Sequence, residues 1–135
     1  MGKLGYSFVL LCATAMVVPA QTDRVARGEY VVNKVAMCGD CHSGRLANGE
    51  PDAAKALRGS PLMFKPAVEI PNWSVQAPDL TPRGAIWKSW GEAGMLKFLQ
   101  TGVDPSGNKP NPPMPSYMLS RQDALAVVAY LKTLK

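Results

Sequence analysis

The sequence predicts an all-α domain with about three main helices and long loops between them. Three observations lead there. Apolar residues recur at helical spacing in three separate stretches, and no stretch sustains the alternation of a strand. The chain is also broken often, by 12 glycines and 12 prolines among 135 residues, with no collagen-like period. The length suits one domain, and 47% apolar residues give it a core to bury. No repeat or low-complexity tract divides it. The formal charge of +5 is modest and its basic residues are scattered, so nothing supports binding to nucleic acid.

Residues 1–20 read as a signal peptide and residues 21–135 as the folded domain. Lys3 precedes an uncharged stretch from Leu4 to Ala20 that closes on Val18-Pro19-Ala20, small or slight residues of the kind a signal peptidase reads. That stretch sits at the short edge of what spans a bilayer, and Gly5, Ser7 and Pro19 dilute it; an uncleaved N-terminal membrane anchor is the alternative. Bulky Leu11 argues against a lipid anchor on Cys12. Cleavage near Ala20 would send the domain out of the cytoplasm and lower the charge by one through loss of Lys3. It would also remove Cys12, leaving Cys38 and Cys41 of the three cysteines.

The first helix is expected from Thr22 or Asp23 to about Met37, with Val25, Tyr30, Val31 and Val35 among its apolar positions. Thr22 can cap it, and Asp23 suits the positive end of its dipole. It runs into the sharpest motif in the chain, Cys38-Gly39-Asp40-Cys41-His42. C-x-x-C-H is the pattern of covalent c-type haem attachment. Two thiols with two residues between them can both reach the vinyl groups along one porphyrin edge. The next residue, His42, then falls beneath the ring, where its imidazole can bind iron. Gly39 would ease the tight turn this needs.

Other chemistries fit less well. Zinc wants four ligands and an iron–sulfur cluster four thiolates, while residues 21–135 hold two cysteines and the chain's one histidine. A thioredoxin-like dithiol belongs beside a strand–helix–strand pattern that is missing here. A simple disulfide between the two cysteines would leave His42 without a purpose.

Between Gly44 and Lys88 lies a long segment with Pro51, Pro61, Pro66, Pro71, Pro78 and Pro82, in which a short helix over Pro51–Leu57 is expected. So long a loop is unusual in a compact domain unless it packs on something flat and apolar that stands in for core. The second helix is expected from Ser89, with Glu92 at capping-box spacing, an apolar face of Met95, Leu96, Phe98 and Leu99, and Gly102 as its closing glycine. The third is expected from Ser120, with Asp123 in its first turn and Leu125, Val128, Ala129 and Leu131 at helical spacing. Leu119 is placed to pack back on Ala124.

A haem held by His42 has a second axial position. Met95 falls on a helical stripe and reads as core, and Met37 adjoins Cys38 on the wrong side. Met114 lies in Pro110-Asn111-Pro112-Pro113-Met114-Pro115, where the prolines stiffen the chain and could hold a sulfur at fixed distance. Met63 and Met118 remain alternatives, as does a surface Pro-rich loop with a gap-filling methionine. Trp73, Trp90, Asn72 and Arg58 can donate to haem propionates. Lys65, Lys88, Lys97 and Lys109 could ring the haem edge and steer an acidic partner.

The sequence resembles the monohaem class I cytochromes c, particularly those of bacterial periplasmic dehydrogenase and oxidase chains. The residues that carry the resemblance are Gly28-Glu29-Tyr30, the Cys38–His42 motif, Ala77-Pro78-Asp79-Leu80-Thr81-Pro82, Ile86 with Trp90, Leu99 with Gly102, Pro112-Pro113-Met114-Pro115, and Tyr130-Leu131. The resemblance implies a cytochrome c-like fold wrapped around one covalent haem c, with Met114 as distal ligand and Gly28 at a close crossing of the first and last helices. Asp79 stands where such proteins usually carry Asn, and Trp87 with Lys88 is unusual before Trp90. With His42 and Met114 both on iron, the expected function is one-electron transfer between exported redox partners such as dehydrogenases or oxidases, not enzymatic catalysis. The alternatives are a fixed haem subunit of a membrane or periplasmic oxidoreductase complex, an enzyme or gas sensor with an open sixth site, or a bare redox dithiol.

Overall fold

A computed structural model describes residues 20–135. The expected signal peptide lies outside those residues but for Ala20. Four α-helices carry the fold, α1 over Ala20–Tyr30, α2 over Gly39–His42, α3 over Ala85–Thr101 and α4 over Arg121–Leu131. A two-stranded antiparallel sheet joins β1, Arg58–Pro61, to β2, Gln76–Asp79, with Ser60 opposite Ala77. The expected all-α architecture therefore holds with one small addition. Each strand is four residues long and carries proline, too short for any alternation to show in the sequence.

The core is where α1, its continuation, α3 and α4 meet. Val31, Val32, Leu99, Val127, Val128 and Leu131 are buried there, and Leu119 packs on the same cluster as Ala124. α1 lies along α4. Its approach depends on Gly28, because a Cβ there would collide with the Ala126 carbonyl and crowd Tyr130. Arg27 Nε donates to Asp123 Oδ1 at 2.8 Å across the same contact.

The first helix does not run unbroken to Met37. After Tyr30 it widens into a π-helical turn, Val31–Val35, closed by the Ala36 amide donating to the Val31 carbonyl at 2.8 Å. Met37 then turns left-handed at φ 50°. The residue that swings the chain into the cysteine motif is thus Met37 rather than Gly39, which sits in the first turn of α2.

The second helix starts earlier than expected, at Ala85, and breaks at Gly91, where φ 62° and ψ −173° are open to little but glycine. Ser89 Oγ donates to the Ile86 carbonyl and caps nothing, so the capping box does not form. The closing glycine does: Gly102 is left-handed at φ 70°, with its amide on the Phe98 carbonyl. Ser120 caps α4 as expected, its Oγ accepting from the Asp123 amide at 3.1 Å.

In the long segment the expected helix over Pro51–Leu57 shrinks to a 3₁₀ turn, Ala53–Lys55, capped by Asp52. The remainder is held by local ties. The Asp79 carboxylate accepts from the Thr81 amide at 2.7 Å, and Trp87 Nε1 donates to the Leu80 carbonyl at 2.6 Å. The two departures from the family pattern therefore brace the stretch between β2 and α3.

Candidate cofactor site

The helices and the long segment enclose a cavity of about 560 Å³, lined mainly by apolar atoms and partly open to solvent. Its size falls within the roughly 300–1,000 Å³ of small-molecule and cofactor sites. Cys38, Cys41, His42 and Met114 all line it. Two parts of the chain, remote in sequence, thus meet around one space.

On one side the short helix α2 presents the cysteine motif. The thiols of Cys38 and Cys41 are free and half-buried. Burial pushes the Cys38 thiol up to about 11, with the neighbouring Cys41 adding to the rise, so it stays protonated at neutral pH. His42 is only 5% exposed. Its ring is oriented by one hydrogen bond, Nδ1–H donating to the Pro78 carbonyl at 2.7 Å. Burial lowers the imidazole from its ordinary value, the Pro78 bond opposing, and the ring is neutral. With Nδ1 protonated and engaged, Nε2 keeps its lone pair. This is the tautomer in which a carbonyl holding one ring nitrogen leaves the other ready to bind metal.

The Pro-rich segment 110–115 supplies another part of the lining. Met114 is half-buried, and its amide donates to the Asn111 carbonyl at 3.1 Å in a turn. The segment is tied down along its length. The Ser74 amide donates to the Pro112 carbonyl at 2.6 Å, Ser116 Oγ to the Gly102 carbonyl at 3.2 Å, and the Leu119 amide to the Leu99 carbonyl at 2.9 Å.

The other methionines separate clearly. Met63 and Met118 are 82% and 79% exposed and do not line the large cavity; Met63 borders a smaller hollow beside Cys41. Met95 lines the cavity as well but is buried in the core, as its stripe predicts, and Met37 lines it while more than half exposed. Of the expected propionate donors, Trp90 lines the cavity and Arg58 donates to the Lys135 carbonyl. Trp73 Nε1 is buried without a hydrogen-bond partner among the described residues, and its ring meets Phe64 edge-on at 5.9 Å. Lys109 borders the cavity, and Lys97 is engaged with the Pro105 carbonyl.

Two residues that matter here were not singled out from the sequence. The Pro78 carbonyl is a backbone group, and no residue type announces it. Tyr117 lines the cavity and donates its hydroxyl to the Ala36 carbonyl at 2.8 Å. Its signal was an aromatic with a polar tip three residues past Met114.

The cavity suits a haem better than a bare metal ion. Among the described residues no three or more His, Cys, Asp and Glu side chains cluster as a metal site would require. What converges instead is two thiols, one imidazole, one thioether and an apolar wall. That donor set matches covalent attachment along a flat ring with nitrogen and sulfur available to its iron. No helix among the described residues is long and apolar enough to cross a membrane.

Comparison with known proteins agrees with this reading. The family model described as cytochrome c matches residues 25–135. The chain is 29% identical over 114 residues to the fructose dehydrogenase cytochrome subunit of Gluconobacter japonicus, an alignment covering 79% of this chain and 21% of that protein. It is 27% identical over 111 residues to a protein named diheme cytochrome c-type from Cereibacter sphaeroides, covering 78% of this chain and 34% of the relative. The chain therefore spans between about a fifth and a third of the length of these relatives.

Proposed function

The chain belongs to the cytochrome c family, whose members carry covalent haem and transfer electrons, and on that premise we propose that it is a one-electron carrier with His42 and Met114 as axial ligands. The observation that carries the proposal is the convergence of Cys38, Cys41, His42 and Met114 on one apolar cavity. Cys38 and Cys41 would hold one haem c as thioethers. Bound there, its iron supplies a reversible one-electron couple.

The protein's own residues decide how that couple is used. The Pro78 carbonyl keeps His42 protonated on Nδ1, which leaves the Nε2 lone pair of this cavity-lining ring free for a metal. The stiff 110–115 segment sets Met114 in the lining of the same cavity as His42, where the two would hold the iron and keep oxygen, peroxide and substrate from it. A neutral thioether and an apolar wall both disfavour the extra positive charge of the oxidised state, which raises the potential. Trp73 Nε1, buried and unpaired among the described residues and next in sequence to the cavity-lining Ser74, would be a donor to a propionate that reached it. Lys109 at the cavity border, with exposed Lys65, Lys88 and Lys97, favours an acidic redox partner.

Export by a cleaved signal near Ala20 completes the proposal, since covalent haem attachment takes place outside the cytoplasm. The donor and acceptor would be exported redox proteins such as dehydrogenases or oxidases. A second arrangement, a fixed subunit of an oxidoreductase complex, is favoured by the relative named as a dehydrogenase cytochrome subunit. Size and co-purification after gentle solubilisation separate the two. A free monomer supports the shuttle, and stoichiometric recovery with a dehydrogenase supports the subunit.

The test of the site is Met114→Ala in protein exported from cells competent in haem attachment. The variant is expected to lose the long-wavelength charge-transfer band of an iron–thioether bond and, when reduced, to bind carbon monoxide at neutral pH. If the parent protein itself binds carbon monoxide readily, the sixth position is open and the carrier assignment fails.

A further inference from the structure

We propose that Tyr117 is a latch across the cavity, a positioning residue that keeps the Met114 segment closed by bonding it to the segment that leads into the cysteine motif. The inference rests on the reading of Met114 as distal ligand and goes beyond it, by naming what governs how often that ligand lets go.

The latch is a pairing of two opposed features. On one side the helical chain ends awkwardly. The π-helical turn Val31–Val35 closes on the Ala36 amide, and Met37 at once turns left-handed, so no helix continues to bring an amide to the Ala36 carbonyl. On the other side Tyr117 follows the Pro-rich segment and shares the cavity lining with Met114. Its hydroxyl donates to the Ala36 carbonyl at 2.8 Å, joining positions 81 residues apart. The ring is half-buried, so the bond is partly shielded from competing water.

The other ties of the distal segment have a different geography. Asn111 bonds to Met114 within the segment, Ser74 comes from the long loop, and Gly102 and Leu99 belong to α3 and its cap. Among the hydrogen bonds of the described residues, Tyr117 to Ala36 is the one that spans from this segment to residues 31–42. Opening the segment away from α2 must break that bond, while the α3 ties can serve as the hinge. Losing one neutral hydrogen bond of this kind shifts an opening equilibrium by about two- to twelvefold.

The experiment compares Tyr117→Phe with the parent holoprotein, using imidazole as the probe of the oxidised form. Where imidazole must wait for Met114 to leave, its binding rate levels off at the opening rate. The variant is expected to keep the thioether band and to raise that limiting rate about two- to twelvefold. In hydrogen exchange the amides of Ser74 and Met114 are expected to exchange faster, while those of Val127 and Val128 in α4 are unchanged. A limiting rate equal to the parent's overturns the latch, as does faster exchange in α4 and in the distal segment alike, the mark of general loosening. A parent protein that lacks the thioether band, or whose imidazole binding never saturates, overturns the Met114 reading and the latch with it, before any variant is compared.

Discussion

At the scale of single residues, the chemistry of this chain is set by atoms that cannot act alone. His42 is useful to a metal only in one tautomer, and a backbone carbonyl chooses it. Because Pro78 O accepts from Nδ1 at 2.7 Å, the lone pair sits on Nε2. Pro78 also explains why so proline-broken a segment is kept close to the cavity, since β2 and the Asp79–Thr81 turn fix its carbonyl in place. A disturbance of that turn is expected to reach the iron without touching a ligand. Asp79→Ala frees the Thr81 amide and should broaden and shift the proton resonances of the His42 ring in the reduced protein, while the thioether band persists. Unchanged His42 resonances would show that the turn does not govern the ring.

That Cys38, Cys41, His42 and Met114 line one cavity agrees with what the sequence suggests, through motif spacing for the first three and through the proline-flanked loop and the family resemblance for Met114. The Pro78 acceptor and the Ala36 carbonyl were not legible. Backbone carbonyls are carried by every residue, and only the fold selects which of them faces a side chain. The left-handed turn at Met37 was hidden for a related reason. A non-glycine residue in that region is uncommon, and sequence reasoning assigned the turn to Gly39 instead.

At the scale of elements, the close crossing of α1 and α4 is the contact that most constrains sequence. Gly28 has no room for a side chain, because a Cβ would meet the Ala126 carbonyl. Gly28→Ala is expected to cost about 3 kcal/mol, the upper end of the range for overpacking, in a denaturant titration of the holoprotein. Gly49 is a useful control, since an added Cβ there meets nothing within 4 Å and only its φ of 86° penalises alanine. A smaller loss at Gly28 than at Gly49 would mean that the helices can slide apart.

The Arg27–Asp123 pair spans the same crossing, and Arg27 lowers the Asp123 carboxyl from its ordinary value, chiefly through their hydrogen bond. A depressed carboxyl stabilises the fold above its unfolded value, about 3.9, and that contribution disappears as pH falls through the folded one. Asp123→Asn is therefore expected to lower stability slightly at neutral pH and to match the parent near pH 2. The effect is small because the pair is exposed. An Asp123→Asn deficit as large near pH 2 as at neutral pH would indicate lost capping or packing rather than lost charge.

Helix boundaries show where sequence reasoning ran short. The Ser120 cap and the Gly102 terminus were legible, because each depends on one residue's intrinsic preference. The start of α3 was not. Gly91 divides the stretch into two helical pieces, and the apolar spacing that sequence reasoning followed belongs to the piece after the break. The strands were invisible for lack of length. Their pairing comes from being closed together by the fold around them.

At the scale of the whole molecule, the cavity is both the functional site and a structural debt. Without a flat apolar ligand its apolar wall would stand against water and lose the stabilisation of burial. Replacing both cysteines, Cys38→Ala with Cys41→Ala, is thus expected to give a colourless chain with reduced helical signal, weak tertiary signal and a broad, low melting transition. A haem-free chain that melts as cooperatively as the parent would show that the helices close the space without a cofactor.

The same view accounts for the long segment between Gly44 and Lys88, which has few elements of its own yet supplies Pro78, Leu80 and Ile86 to the cavity. Its ordering is understandable when the thing it packs on is counted as core.

In the proposed ligation His42 and Met114, both lining this cavity, bind the iron of one haem. The visible and near-infrared spectrum of the oxidised protein, read beside that of Met114→Ala, tests it most directly. A low-spin spectrum with the long-wavelength thioether band is expected in the parent, and loss of that band in the variant. A band that survives in Met114→Ala, or one that is missing from the parent, would contradict it.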